Sequence, residues 1–308
     1  MKRRDFIWKG LGAAALTGTA AMLPGYGRLF GSPLMGPPLP YDLVAIKGGE
    51  PEIMFDQAIK AMGGMQSFVQ KGQKVLLKPN IGWDVSPERA GNTNPKLVQR
   101  VIEHCFEAGA KQVYVFDNTC DQWDRCYSHS GIEKAVKDAG GTIVPGNTES
   151  YYQEIEIPGG KKLKNAKVHE LVLDTDVFIN MPVLKHHSSA QLTISMKNMM
   201  GVVWDRRYWH KNDLQQCIAD YATFHKKPTL NIVDAYRVMM KNGPRGVSDG
   251  DISLMKSQII STDMVAADAA SAKMFGLEPS DIPHISIADS MGIGTMDLKK
   301  LNIHRIIM

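Results

Sequence analysis

NPKLVQRVIEHCFEAGAKQVYVFDN, residues 94–118, decides the fold class of this chain. Asn94 suits a helix N-cap, and Pro95 suits the first helical position, where its missing N–H costs nothing. Leu97, Val98, Val101, Ile102, Cys105 and Phe106 then recur at helical spacing as one apolar stripe, which Gly109 ends. KQVYVFD, residues 111–117, follows at once as a β-rich run. A helix feeding a strand through so short a loop is half of a βαβ unit, the building block of a parallel sheet covered by helices.

The alternation continues outward. Upstream lies the strand VLLKPN, and downstream Ser130 caps a second helix through Ile132, Ala135, Val136 and Ala139, stopped by Gly140 and Gly141, before TIV enters as a strand. VFIN (177–180), TLNIVD (229–234), QIIS (258–261) and HISIA (284–288) read as further strands. Between residues 151 and 168, EIEI and KKLKNAKV flank Pro158, Gly159 and Gly160 as a hairpin would. The expected architecture is α/β: a mostly parallel, doubly wound sheet with helices on both faces and a small antiparallel hairpin insertion.

The first forty residues stand apart. Lys2, Arg3 and Arg4, followed by Phe6, Ile7 and Lys9, resemble a twin-arginine export signal. The Gly/Ala-rich apolar segment at 10–23 is shorter than the ~20 residues a membrane-spanning helix needs. This gives a signal segment at 1–30, a Pro/Gly linker at 31–40, and one α/β domain at 41–308. The chain is thus expected to meet the twin-arginine export machinery and to be exported, periplasmic or anchored by an uncleaved signal.

The full 308 residues carry 44% hydrophobic and 22% charged side chains, which excludes disordered and fibrous classes. Net charge is +4, and Lys2, Arg3, Arg4, Lys9 and Arg28 against Asp5 account for all of it, so the body is formally neutral. Without basic blocks or aromatic-interleaved stripes, nothing points to nucleic acid. The four cysteines include no CxxC pair, which argues against a zinc ribbon or an iron–sulfur cluster. Cys120 and Cys126 have the option of a disulfide in an exported protein, and Cys105 and Cys217 fall on apolar stripes. No Walker A, HExxH, GxSxG or EF-hand motif occurs.

Polar residues gather where strands end: Lys78 and Asn80, Asp117 and Asn118, Asn180 and Lys185, Asp234, then Thr262 and Asp263. Ligands of open α/β sheets bind beyond the carboxyl ends of the strands, so these ends predict a cleft. In residues 181–201, Lys185, His186 and His187 follow a strand, and adjacent side chains on an extended segment point opposite ways, so one histidine is expected to face the cleft. Lys197 sits among Leu192, Ile194, Met196, Met199 and Met200, where an ammonium needs an anion or an escape to solvent. Asp263 reads as an N-cap, Asp268 is flanked by alanines, and WDRRYWH (204–210) reads as a lid or a surface loop.

GQKVLLKPN, NTNPKLVQRVI, EAGAKQVYVFDN, DVFINMPVLKHH, LTISMKNMMG, LNIVDAYRV, NGPRG and STDMVAADA together resemble the family known as domain of unknown function 362. The resemblance implies an α/β domain of unestablished activity and places the family's polar positions on Lys78, Asn80, Asp117, Asn180, Lys185, His187, Lys197, Asn198, Asp234 and Asp263. Some relatives append ferredoxin-like modules, whose cysteine spacing is absent here.

The expectation is an enzyme acting on a small anionic or carbonyl-bearing molecule. Lys185, His187, Lys197 and Asp117 are its catalytic candidates, and Lys78, Asn80, Asn180 and Asn198 its substrate-binding ones. A divalent metal on Asp117, Asp234 and Asp263 is a further expectation. The alternative is an exported, non-catalytic protein that binds a metal or metabolite in the same cleft.

Overall fold

The computed structural model describes residues 38–308; the signal segment expected at 1–30 and the linker up to residue 37 lie outside the described residues. In chain order the elements are β1 (Leu43–Lys47), α1 (Pro51–Ala61), β2 (Lys74–Pro79), α2 (Pro95–Glu107), β3 (Gln112–Val115), α3 (Trp123–His129), α4 (Ile132–Asp138) and β4 (Thr142–Ile143). Next come the hairpin strands β5 (Tyr152–Glu156) and β6 (Asn165–His169), then α5 (Glu170–Asp174), β7 (Val177–Met181), β8 (Val183–His187), β9 (Gln191–Thr193), α6 (Ser195–Asn198), α7 (Arg206–Lys211) and α8 (Leu214–Tyr221). β10 (Leu230–Met239), β11 (Ile252–Ser261), α9 (Met264–Phe275), α10 (Pro283–Ser290) and β12 (Ile303–Ile307) complete the chain.

The main sheet runs β12-β1-β11-β10-β7-β2-β3-β4, with β8 continuing beside β10 and β9 beside β8. β10, β7, β2, β3 and β4 are mutually parallel, whereas β11 runs antiparallel to both of its neighbours, β10 and β1. β5 and β6 form the separate antiparallel hairpin. The fold is therefore α/β, a mixed and mostly parallel sheet with that small insertion.

Strand alternation builds two cores. Val75 and Leu77 of β2, Val177 and Ile179 of β7, and Leu230 and Ile232 of β10 face one layer, which includes Phe55 of α1 and the Leu97, Val98, Val101, Ile102 stripe of α2. Leu76, Phe178 and Val233, one residue out of phase, face the other, with Met196 of α6, Ile218 of α8, Val265 of α9 and Ile285 of α10. Helices thus cover both faces. Asn94 caps α2 as its sequence indicated, its side chain accepting the Lys96 N–H at 3.0 Å.

Two strand readings change, one in kind and one in direction. HISIA is not a strand but part of α10: Pro283 starts the helix, and buried Ile285 and Ala288 recur at helical spacing. Within residues 118–131, Trp123–His129 form α3, which buries Cys126 and Tyr127. QIIS is a strand, but as the end of antiparallel β11 it leads away from the cleft end of the sheet. Cys120 and Cys126 are free thiols, one exposed and one buried, and Cys105 and Cys217 are buried. No helix among the described residues is long and apolar enough to cross a membrane.

Candidate functional site

The register of the parallel strands sets a polar row across the sheet. Lys78 on β2 lies beside Asn180 on β7, Asn180 beside Asn231 on β10, and Asn231 beside Ser261 on β11. Lys78 shares its phase with Leu76, and Asn180 with Phe178, so the row faces the α6 layer. Asn231 accepts from Asn180 Nδ2 at 2.9 Å, and Asn180 Oδ1 accepts from Asn198 Nδ2 at 2.8 Å. Asn198 on α6 closes the row: its Oδ1 accepts from Lys78 Nζ and from Asn80 Nδ2, both at 2.9 Å. Buried amides placed in this way fix one another, because each unmade hydrogen bond leaves a desolvated polar group.

Asp117, just past β3, completes the floor. Its Oδ1 lies 2.9 Å from Lys78 Nζ, and its Oδ2 accepts the Ile81 N–H at 2.7 Å. Both side chains are almost wholly buried, at 1% and 3% exposure. Burial lowers the Lys78 pKa, and the Asp117 charge opposes that shift. A Cβ on Gly201 would lie 1.9 Å from Asp117 Oδ1 and 2.5 Å from Lys78 Nζ, so only glycine lets this backbone close over the pair.

Above the floor opens a cleft of about 500 Å³, lined by Asn80, Asp117, Cys120, Lys185, His187, Lys197, Asn198, Arg206, Arg207 and His210 among others. Asp117 is its only carboxylate among the described lining residues, and Lys78 already neutralises it. Lys185 comes up from β8 and donates to Gly91 O at 2.5 Å and Asn80 Oδ1 at 3.2 Å. Burial takes its pKa down to about 7, and the neighbouring Lys197 and Lys78 charges add to the drop. Lys197 on α6 is half-buried, has no partner among the described residues, and is lowered to about 8, first by desolvation. The α6 N-terminus is held by Asp268, whose carboxylate accepts the Ser195 and Met196 N–H groups at 2.7 and 3.0 Å. Burial raises the Asp268 pKa to about 7.

His187 is pinned by the turn that follows it. Its Nδ1 accepts the Ser189 and Ala190 backbone N–H groups, both at 3.2 Å, so the ring proton belongs on Nε2. Burial, then the Lys197 and Lys185 charges, press its pKa down to about 2. The ring, neutral and held by that turn, lines the cleft with Nε2–H as its donor. His186 points elsewhere, its Nδ1 accepting from Gly243 N at 3.0 Å.

A model of the family described as domain of unknown function (DUF362) matches residues 75–273, more than half of the chain. The chain belongs to the DUF362 family. A thylakoid-associated protein of Synechocystis is 26% identical over 254 residues, spanning 76% of this DUF362 chain and 73% of that protein. The lactate racemase apoprotein of Thermoanaerobacterium thermosaccharolyticum has a TM-score of 0.49 at 12% identity. The likeness covers 75% of this chain but only 56% of the racemase. At that level it says nothing about reaction.

In this DUF362 chain the cleft gathers Asn80, Asp117, Lys185, His187, Lys197 and Asn198, with Lys78 directly beneath. Asn180 lies one hydrogen bond deeper and positions Asn198 instead of lining the cleft. The metal set is not assembled. Asp234 lies mid-strand, because β10 runs on to Met239, and its oxygens accept the Asn94 and Tyr236 N–H groups at 2.7 and 3.0 Å. Asp263 is the α9 N-cap, with Oδ1 on Val265 and Ala266 N–H and Oδ2 on Thr295 N–H, at the end of antiparallel β11. No group of three His, Cys, Asp or Glu among the described residues is placed to hold a metal ion. Asp234 instead tethers the segment whose Gly91 carbonyl receives Lys185.

Two participants escaped the sequence reading. Gly201 is not among the sequence candidates, and Arg206 falls in the segment 204–210, which reads as a lid or a surface loop. Arg206 is a strap: it donates to Asn118 O and Thr119 O, both at 2.7 Å, and holds α7 against the loop after β3. Beyond α7 lies a larger cavity of about 680 Å³ against the hairpin, but its one lysine, Lys167, is paired with Glu149. The two cavities share Arg206 and Arg207, but Lys185 and Lys197 line only the smaller cleft.

The lysines make stability depend on pH. In the folded chain Lys185 gives up its proton near pH 7, whereas the unfolded chain holds it to about 10.5. The unfolded state therefore binds more protons in that window, and stability rises with pH through it. We expect the ligand-free chain to gain on the order of 2 kcal/mol between about pH 7 and 9. Lys185→Met should flatten the rise, as read from melting temperature against pH.

Proposed function

We propose that this chain is an exported enzyme acting on a small anionic or carbonyl-bearing metabolite held in the lysine cleft at the strand ends. The observation that carries the reading is the convergence of Lys78, Lys185 and Lys197, from three elements, around one carboxylate that Lys78 already neutralises. Lys185, Lys197 and Arg207 are left to meet an anion, His187 Nε2–H to meet an oxygen, and the Asn80–Asn198 pair to orient the ligand. A divalent metal finds no matching donor set among the described residues.

Titration with pyruvate, oxalate and inorganic phosphate tests the reading. At least one should bind, and Lys197→Ala should abolish binding while the melting temperature stays within a few degrees. Affinity should fall tenfold or more above about pH 8, as Lys185 and Lys197 lose their protons. Unchanged affinity in Lys197→Ala, or its unfolding, would remove the lysine from the site.

A non-catalytic binding protein is the second reading, favoured by the one cleft carboxylate being tied up in an ion pair. Turnover of any bound probe decides against it. Export rests on the basic run and apolar segment at 1–23. Arg3→Lys with Arg4→Lys should retain the chain in the cytoplasm, and undiminished export would contradict that reading.

A further inference from the structure

We infer that the Lys197 amine is a nucleophile that forms an imine with a 2-oxo carboxylate. This rests on the anion-cleft reading above and names its substrate class. The three cleft lysines are not equivalent. Lys78 is held by Asp117 and Asn198, and Lys185 by Gly91 O and Asn80, so neither nitrogen is free to approach a carbon. Lys197 has no partner among the described residues, lines the cleft, and rises from a helix anchored at both ends of its single turn, by Asp268 on Ser195 and Met196 and by Asn198 in the polar row. A fixed base under an uncommitted amine is the placement a covalent lysine requires.

The surroundings choose the electrophile. His187 presents Nε2–H and lines the same cleft as the Lys197 amine. Such a donor suits a carbonyl oxygen. Lys185 and Arg207, with no free carboxylate opposite, suit an anionic group on the adjoining atom. A carbonyl beside a carboxylate meets both. With its pKa lowered to about 8, roughly one Lys197 amine in ten is unprotonated at pH 7, against fewer than one in a thousand for an ordinary lysine.

The step balances without a further reagent. Lys197 Nζ attacks the carbonyl carbon, the C=O π pair moves to oxygen, and that oxygen takes a proton from the attacking nitrogen. The Lys185 ammonium then protonates the hydroxyl, which leaves as water, and the C=N⁺ iminium remains. The σ and π bonds from carbon to oxygen break, σ and π bonds from carbon to nitrogen replace them, the oxygen leaves as water with one proton from Lys197 and one from Lys185, and the positive charge passes from Lys185 to the iminium.

The full chain is incubated with pyruvate, or with glyoxylate, and sodium cyanoborohydride, then mapped by peptide mass. The expected result is a single reduced carboxyalkyl group on Lys197. Lys197→Arg should lose the adduct yet keep reversible pyruvate binding within about tenfold, since it keeps the charge. Modification at Lys185, or only at the rate of exposed lysines, overturns the inference. Pyruvate or oxalate binding without an adduct also overturns it while the anion-cleft reading stands. If no probe binds at all, both fall.

Discussion

Gly201→Ala destabilises the fold by about 3–5 kcal/mol and abolishes anion binding: that is the expected result of the smallest change the site can suffer. The new methyl carbon would lie 1.9 Å from Asp117 Oδ1 and 2.5 Å from Lys78 Nζ, far inside contact distance. Neither atom can step aside cheaply. Asp117 is held by the Ile81 N–H on its other oxygen, and Lys78 by Asn198. The Gly201 backbone cannot retreat either, because its carbonyl accepts the Asn118 N–H at 2.9 Å and so fixes the loop after β3. Relief must separate a buried lysine and aspartate, and parting such a pair leaves both charges without solvent or partner. Urea unfolding measures the loss. A change below about 1 kcal/mol with binding intact would mean that the loop is softer than its hydrogen bonds imply.

Lys78→Met is the second large effect, again about 3–5 kcal/mol, for an electrostatic reason instead of a steric one. Methionine fills most of the lysine's volume, so little is lost in packing. What remains is the Asp117 carboxylate, 3% exposed, with the Ile81 N–H but no cation in contact. Adding Asp117→Leu should restore much of the loss, because removing both partners of a buried pair costs far less than removing one. A double-mutant cycle reads this as a coupling of at least about 2 kcal/mol, and additive losses would show the pair to be unimportant to stability. Neither variant should bind an anion normally, since Asn198 loses its Lys78 donor in both.

Why some of this was legible in sequence is a matter of direction. Lys78, Asp117 and Lys185 follow apolar strand runs that lie parallel, so strand order alone delivers them to one end of the sheet. Asp263 follows an equally good run, but no residue within β11 states that it runs antiparallel to its neighbours; partner pairing decides that, and it carries Asp263 away. Asp234 was misplaced because β10 continues through polar Asp234 to Met239, past the end of β7 and alongside β8. HISIA satisfied a period of two and a helical period at once, and only burial of Ile285 and Ala288 against neighbouring helices chose between them. Asp268, unexplained among its alanines, proves to anchor the α6 backbone across a close helix contact that small residues permit. The His187 tautomer depends on two backbone N–H groups of the following turn, which no side-chain pattern announces.

Lys185 and Lys197, their pKa values lowered to about 7 and about 8, stand partly deprotonated in a cleft suited to negative charge. Calorimetric titration with oxalate, repeated in buffers of different ionisation enthalpy, tests it most directly. At about pH 8 the anion should draw protons onto these amines, whose free pKa values are about 7 and about 8, giving uptake of about one proton per oxalate. Uptake should shrink toward zero by about pH 6 and fall by roughly half or more at pH 8 in Lys185→Met. No oxalate binding, or binding at pH 8 with no net proton uptake, would contradict the account.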